Sequence, residues 1–185
     1  MSQEVRIRTA RKEDAADLAR IYAYYVNQTA ITFEYRAPDA REMECRRKTI
    51  LARYPYLVAE KDGKVVGYAY AHEFYGREAY AWSVESTIYI DKDARRLGIG
   101  RILYEALEQT LKAMGILNIN TCIAIAKDPE DPYLTNGSFS FHQGLGYDKI
   151  AHFHHSGYNV IWMEKMIGDH GDNPAPIIPF DAEKW

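Results

Sequence analysis

The sequence predicts a mixed α/β domain built around one sheet. Three observations predict it. The hydrophobic pattern switches repeatedly between a period of two and a period of 3.6. Its order is strand, two helices, a run of antiparallel strands, helix, strand, helix, two strands. Second, Asp62-Gly63 separates two alternating apolar runs, the mark of a tight hairpin. Third, the stretch VESTIYIDKDARRLGIGRILYEALEQTLKAMG, Val84 to Gly115, passes from strand through a glycine-rich turn into a helix.

Each element has a local cause. Val5 to Arg8 alternates apolar and charged residues and reads as a strand. Glu13 and Asp14 suit a helix start, where carboxylates meet the positive end of the dipole. Leu18, Ile21, Tyr22 and Tyr25 form the apolar face of that helix. Thr29 to Tyr35 is β-branched and aromatic, and is read as a loop. After the Pro38-Asp39 break, Met43, Ile50, Leu51 and Tyr54 make the stripe of a second helix. Its Arg46, Arg47 and Lys48 face is read as solvated surface.

Tyr56 to Glu60 and Val65 to Ala71 are the hairpin strands, and Tyr80 to Ile90 is a further strand. Gly100 to Met114 is the strongest helix, with Leu103, Leu107, Leu111 and Met114 on one side and Gly115 as a left-handed cap. Asn118 to Ile125 is a strand. The loop KDPEDPYLT, Lys127 to Thr135, is punctuated by Pro129 and Pro132. A short helix follows from Gly137 to Leu145, with Asn136 as its cap and Gly146 ending it. Tyr147 to Phe153 and Tyr158 to Met166 are the last two strands. Residues 1–168 form one domain, and 169–185 read as an extended proline-bearing tail.

Composition narrows the function. Of 185 residues, 47% are hydrophobic, enough for a core. A net charge of -3 argues against a nucleic-acid binder. Cys45 and Cys122 are far apart in unlike contexts, so no disulfide is expected and a reducing cytoplasm fits. No apolar run is long enough to cross a bilayer, and no membrane partner is expected.

The glycine turn carries the chemistry. A helix N-terminus leaves N–H groups unpaired and partly positive. Gly98 and Gly100 keep side chains out of the way, so loop amides can converge on a phosphate. Arg95, Arg96 and Arg101 add charge. The P-loop ending Gly-Lys-Ser/Thr is absent, and so is the third glycine of G-x-G-x-x-G. What remains is R-x-x-G-x-G.

Arg95 to Gly100 resembles the pyrophosphate signature Q/R-x-x-G-x-G/A of the GNAT family of acetyl-CoA-dependent N-acetyltransferases. The stretches RYPYLVAEKDGKVVGYAYA, AYAWSVESTIYID and FHQGLGY are similar to its phosphinothricin N-acetyltransferase branch, over about Val5 to Met166. The resemblance implies the GNAT fold: a mixed, mostly antiparallel sheet of about six to seven strands flanked by about four helices. It implies acetyl-CoA as cosubstrate, held by Arg95, Arg96, Leu97, Gly98, Ile99, Gly100 and Arg101. Ile88, Tyr89 and Ile90 would meet the pantetheine arm through their strand, with the Ile88 amide polarising the thioester carbonyl.

Glu85, three residues after Trp82, matches the branch's general base. A carboxylate in an apolar strand can take the proton that makes an ammonium nucleophilic. His142 matches a branch histidine that protonates the departing thiolate or contacts the substrate's anionic group. Asn136 is similar, one position out of step, to a cofactor-contacting asparagine. Phe33, Glu34, Tyr80 and Trp82 are substrate-pocket candidates by the same resemblance, for a small amino-acid-like amine of the phosphinothricin or methionine sulfoximine type. The branch is typically homodimeric. His152, His154 and His155 suggest a metal, but no nearby cysteine or carboxylate completes a site, and none is expected.

Two other readings stand beside this one: a GNAT enzyme for a polyamine, aminoglycoside or protein N-terminus, and a non-catalytic acetyl-CoA sensor. Glu85 speaks against the sensor, which needs no base beside a thioester.

Overall fold

A computed structural model describes residues 4–128, 130–154 and 158–183. The sequence of elements is β1 (Arg6–Thr9), α1 (Ala15–Gln28), α2 (Ala40–Leu51), β2 (Tyr56–Lys61), β3 (Lys64–Glu73), β4 (Ser83–Ile90), α3 (Ile99–Ala113), β5 (Asn118–Ile125), α4 (Gly137–Gln143), β6 (Asp148–His154) and β7 (Asn159–Met166). The seven strands form one sheet in the order β1-β2-β3-β4-β5-β7-β6. Only β4 and β5 run parallel; every other neighbouring pair is antiparallel.

The hairpin forms because Asp62 and Gly63 both adopt left-handed φ, 54° and 73°, which matches the twist of the strands they join. Both faces of this part of the sheet are buried, and its side chains divide by parity. Leu57, Ala59, Ala69, Ala71 and Val84 pack beneath α3 with Leu103, Leu107 and Leu111. Tyr56, Val58 and Tyr68 pack beneath α1 and α2 with Leu18, Ile21 and Met43. Small residues on one face let the long α3 helix lie close. Tyrosines on the other build a stacked layer, with Tyr56 and Tyr70 ring centroids 4.9 Å apart.

The largest boundary change is at β4. The strand starts at Ser83 rather than Tyr80, because Glu78–Tyr80 curl into a 3-10 turn closed by the Ala81 amide on the Glu78 carbonyl. The α2 arginines also differ from a plain solvated face. Arg46 binds both oxygens of Glu34, and Arg47 reaches the Ala10 carbonyl at 3.0 Å. The tail lies against the domain: the Ile178 amide bonds the Met114 carbonyl, the Phe180 amide bonds Arg53, and the Phe180 side chain is buried. Cys45 and Cys122 are both free.

Two buried groups make stability fall in acid. Asp14 ties β1 to the start of α1, accepting two bonds from the Arg8 guanidinium at 2.7 and 2.8 Å and one from the Arg11 amide at 2.6 Å. Burial pushes its pKa up, but those bonds overcome it and hold the value below 3.8. A depressed carboxylate stabilises fully above its unfolded pKa and loses that contribution as pH falls through the folded one. His142, in α4, is desolvated, which depresses it from 6.5 to about 4 despite a bond to Ser138. The unfolded chain then binds the extra proton between those values, so stability falls from pH 6.5 down to about 4, by up to about 3 kcal/mol. Denaturant melts at stepped pH should show both losses in the wild type. His142→Phe should flatten the upper one and Asp14→Asn the lower.

Candidate active site

The site begins where two parallel strands part. β4 and β5 pair through Ser83, Val84 and Glu85, opposite Asn118, Ile119 and Asn120, and the ladder ends there although both strands continue. Polar side chains brace the vertex of this fork. The Ser83 hydroxyl donates to Asn118 Oδ1 at 2.7 Å, and Ser86 Oγ bonds the Tyr104 hydroxyl. Beyond it a cavity of about 200 Å³ is lined by Phe33, Glu85, Ile88, Tyr89, Cys122 and His142, among others. One cavity thus collects both catalytic candidates, two of the strand residues and one of the substrate-pocket candidates.

Glu85 is the last β4 residue in the ladder. Burial raises its pKa, and His72, its cross-strand partner on β3, opposes that rise. Glu85, Thr87 and Tyr89 share the face covered by α1 and α2, while Ser86, Ile88 and Ile90 side chains face α3. The backbone groups of Ser86, Ile88 and Ile90 are directed toward the β5 side, as shown by the Thr121 hydroxyl on the Ser86 carbonyl at 3.5 Å.

Ile90 departs from expectation. Its carbonyl accepts from the Tyr25 hydroxyl at 2.5 Å, and its amide donates to the same oxygen at 3.2 Å. Both groups are taken, which leaves Ile88 as the residue whose peptide faces the fork.

At the far end of β4 the chain turns into α3. Arg95 is extended, Arg96 has φ 62° and Gly98 has φ 78°. A Cβ at Gly98 would meet nothing within 4 Å, so the space over the helix start is open. Ile99 is a core residue, whereas Leu97 is exposed. The Arg95 guanidinium stacks on the rings of Tyr24 and Tyr25, 5.0 Å from each. Arg101 is partly committed, to the Gly144 carbonyl at 3.1 Å and to Glu105.

His142 has a fixed tautomer. The Ser138 carbonyl can only accept, so the Nδ1 lying 2.8 Å from it carries the hydrogen. Nε2 is then an acceptor, buried and unpartnered among the described residues. With its pKa held near 4, the ring is neutral around pH 7 and has no proton to give a thiolate. In this tautomer Nε2 has no hydrogen to give either a thiolate or an anionic substrate group, and is placed to accept a hydrogen bond instead.

Four other candidates lie elsewhere. Glu34 is held by Arg46 and by the Tyr22 hydroxyl at 2.9 Å, an arrangement that ties the 29–39 loop to both helices. The Tyr80 ring packs with Phe74 and Tyr75. Trp82 donates its indole N–H to the Ala175 carbonyl at 2.7 Å and so holds the tail. Asn136 makes no side-chain cap; its Oδ1 accepts from the Ala126 amide at 3.2 Å and closes the loop before α4. His155 lies outside the described residues. His152 and His154 rings are 4.4 Å apart, and no group of three potential ligands occurs among the described residues.

Sequence reasoning missed the tyrosine layer. Tyr22, Arg46, Tyr56, Tyr70 and His72 line a second cavity of about 410 Å³ on the Glu85 face of the sheet, and the buried Tyr56 hydroxyl has no partner there among the described residues. The signal was the alternation YAYAH on β3, which sends Tyr68, Tyr70 and His72 to one face.

The model of the acetyltransferase (GNAT) domain matches residues 7–172. The chain belongs to the GNAT acetyltransferase family and is an acyltransferase. Within that family it is 31% identical to a phosphinothricin N-acetyltransferase of Streptomyces viridochromogenes, over 95% of this chain and 94% of that protein. It is 30% identical over 110 residues to an L-methionine sulfoximine/L-methionine sulfone acetyltransferase of Salmonella typhimurium, covering 59% of this chain and 64% of that one. Among solved structures, a phosphinothricin acetyltransferase from Sinorhizobium meliloti in complex with AcCoA superimposes with a TM-score of 0.80 at 30% identity, over 92% and 93% of the two chains. No helix among the described residues is long and apolar enough to cross a membrane.

Proposed function

We propose that the chain transfers an acetyl group from acetyl-CoA to the amino group of a small amino-acid-like acceptor, with Glu85 as general base. The observation that carries this reading is the half-buried Glu85 at the vertex of the β4–β5 fork, in one cavity with the Ile88 peptide. The relatives named above, which act on phosphinothricin or methionine sulfoximine and sulfone by their names, support the acceptor class.

The cosubstrate fits three features of the chain. The open, left-handed Gly98 turn at the start of α3 suits the pyrophosphate. The Ile88 peptide suits the pantetheine arm and the thioester carbonyl. The unpartnered His142 Nε2 offers a hydrogen-bond acceptor inside the fork. Acetyl-CoA supplies the activated acyl group; the protein supplies placement and proton control. Glu85 removes one proton from the acceptor ammonium, whose nitrogen lone pair then forms the amide bond as the carbon–sulfur bond breaks. The attacking nitrogen sheds its second surplus proton as the amide forms, and the thiolate takes up that proton to leave as free CoA. The acceptor's body enters the tyrosine-lined cavity on the Glu85 face, which offers aromatic walls and polar groups that include Arg46, Thr49 and His72. The same reading carries a homodimer.

A thiol-release assay with acetyl-CoA against an amine panel tests it. Turnover is expected with phosphinothricin, methionine sulfoximine or methionine sulfone, and little with polyamines or aminoglycosides. Silence with all three amino-acid analogues would retire the acceptor assignment.

A further inference from the structure

His72 is a side chain beside the proposed base with no role yet assigned. It stands on β3 directly across from Glu85 in the antiparallel register. Its Nε2 lies 3.9 Å from Glu85 Oε2, so a shift of about 1 Å makes a hydrogen bond. Its Nδ1 is 2.9 Å from the Glu73 carbonyl, which can only accept, so Nδ1 carries a hydrogen. That bond fixes the ring. With Nδ1 anchored, the Nε2–Oε2 approach is attractive only when one proton lies between the two groups. Either the imidazolium faces a carboxylate, or the imidazole faces a carboxylic acid.

We infer that His72 is the positioning residue of Glu85: its ring, anchored on the Glu73 carbonyl, aims the carboxylate into the fork. The inference rests on the reading of Glu85 as base. The other groups nearby do not take over this task. Arg46, across the tyrosine cavity on α2, is engaged by Glu34 and Glu42, and Cys45 and Glu42 on the same helix carry no positive charge. Tyr70, on β3 with its ring 6.2 Å from His72, is held neutral by burial. Cys122 on β5 is a neutral thiol, pushed up to about 11 by desolvation and the Glu85 charge. Burial alone would keep Glu85 protonated to a higher pH, and the His72 charge works against that.

The His72 side chain is 41% exposed and Glu85 24%, so His72 meets solvent while the base is more sheltered. Substitution there also disturbs little packing.

The test is the pH profile of kcat/KM for the acceptor in the full chain. His72→Gln should move the acid limb up by about one pH unit, a loss approaching tenfold well down that limb, with little change on the alkaline plateau and an unchanged KM for acetyl-CoA. His72→Lys should restore the limb toward the wild-type position, because it returns a positive charge. His72→Asn, a second neutral variant, should repeat the Gln result and stands in for it should that variant misfold. An acid limb unmoved in both neutral variants overturns the inference. Glu85→Gln separates the two readings: if it keeps full turnover, the base assignment fails, whereas an inactive Glu85→Gln with unmoved His72 profiles condemns His72 alone.

Discussion

Glu85→Gln is expected to lower kcat by about 10²- to 10⁴-fold, the range that general-base removal commonly costs. The substitution is nearly isosteric, and the residue sits at the end of the β4–β5 ladder without an ion pair that holds the fold. The melting temperature and acetyl-CoA affinity should therefore stay close to wild type. Amide dipoles cannot accept a proton from an ammonium, so raising the pH should recover part of the rate as free amine becomes available. Stopped-flow acetyl transfer at pH 7 and 9, with calorimetry for acetyl-CoA, reads all of this. Unchanged turnover at neutral pH would remove Glu85 from the mechanism.

Gly98→Val is the second large effect, and it acts on the cosubstrate rather than on the proton. Gly98 has φ 78°, a region that a β-branched residue occupies only at a cost of about 1–2 kcal/mol or more. The side chain itself would meet no protein atom within 4 Å. The substitution therefore projects a branched group into the open space where a phosphate would approach the α3 amides. A rise of at least about tenfold in the Kd for acetyl-CoA is expected, with a loss of stability of about 1–2 kcal/mol from the strained backbone, both measured by calorimetry. Intact affinity would show that the phosphate lies elsewhere.

Most of the fold was legible because its causes are local. The Asp62-Gly63 pair dictates a hairpin by backbone conformation alone. The leucine stripe of α3 and the left-handed Gly115, φ 87°, bound the longest helix. The glycine turn was legible for the same reason. The rest of the site depends on register and distance. Trp82 stands in the turn just before β4 begins at Ser83, and its indole is drawn to the Ala175 carbonyl of the tail, a partner 93 residues away. Glu34 became an anchor because Arg46, twelve residues on, reaches back from α2. The opposition of His72 and Glu85 needed the pairing of β3 with β4, which neither strand's own sequence reveals.

The Tyr25 hydroxyl on Ile90 has a consequence for solubility. A parted strand is a row of unused hydrogen-bonding groups, and such a row invites any extended segment to zip onto it. One phenol, donating to the carbonyl and accepting from the amide of the same residue, closes that row near its outer end. What stays open beside Ile88 is about one peptide long. That is too short a stretch for a foreign strand to pair with, so the parted edge is blunted by a single side chain.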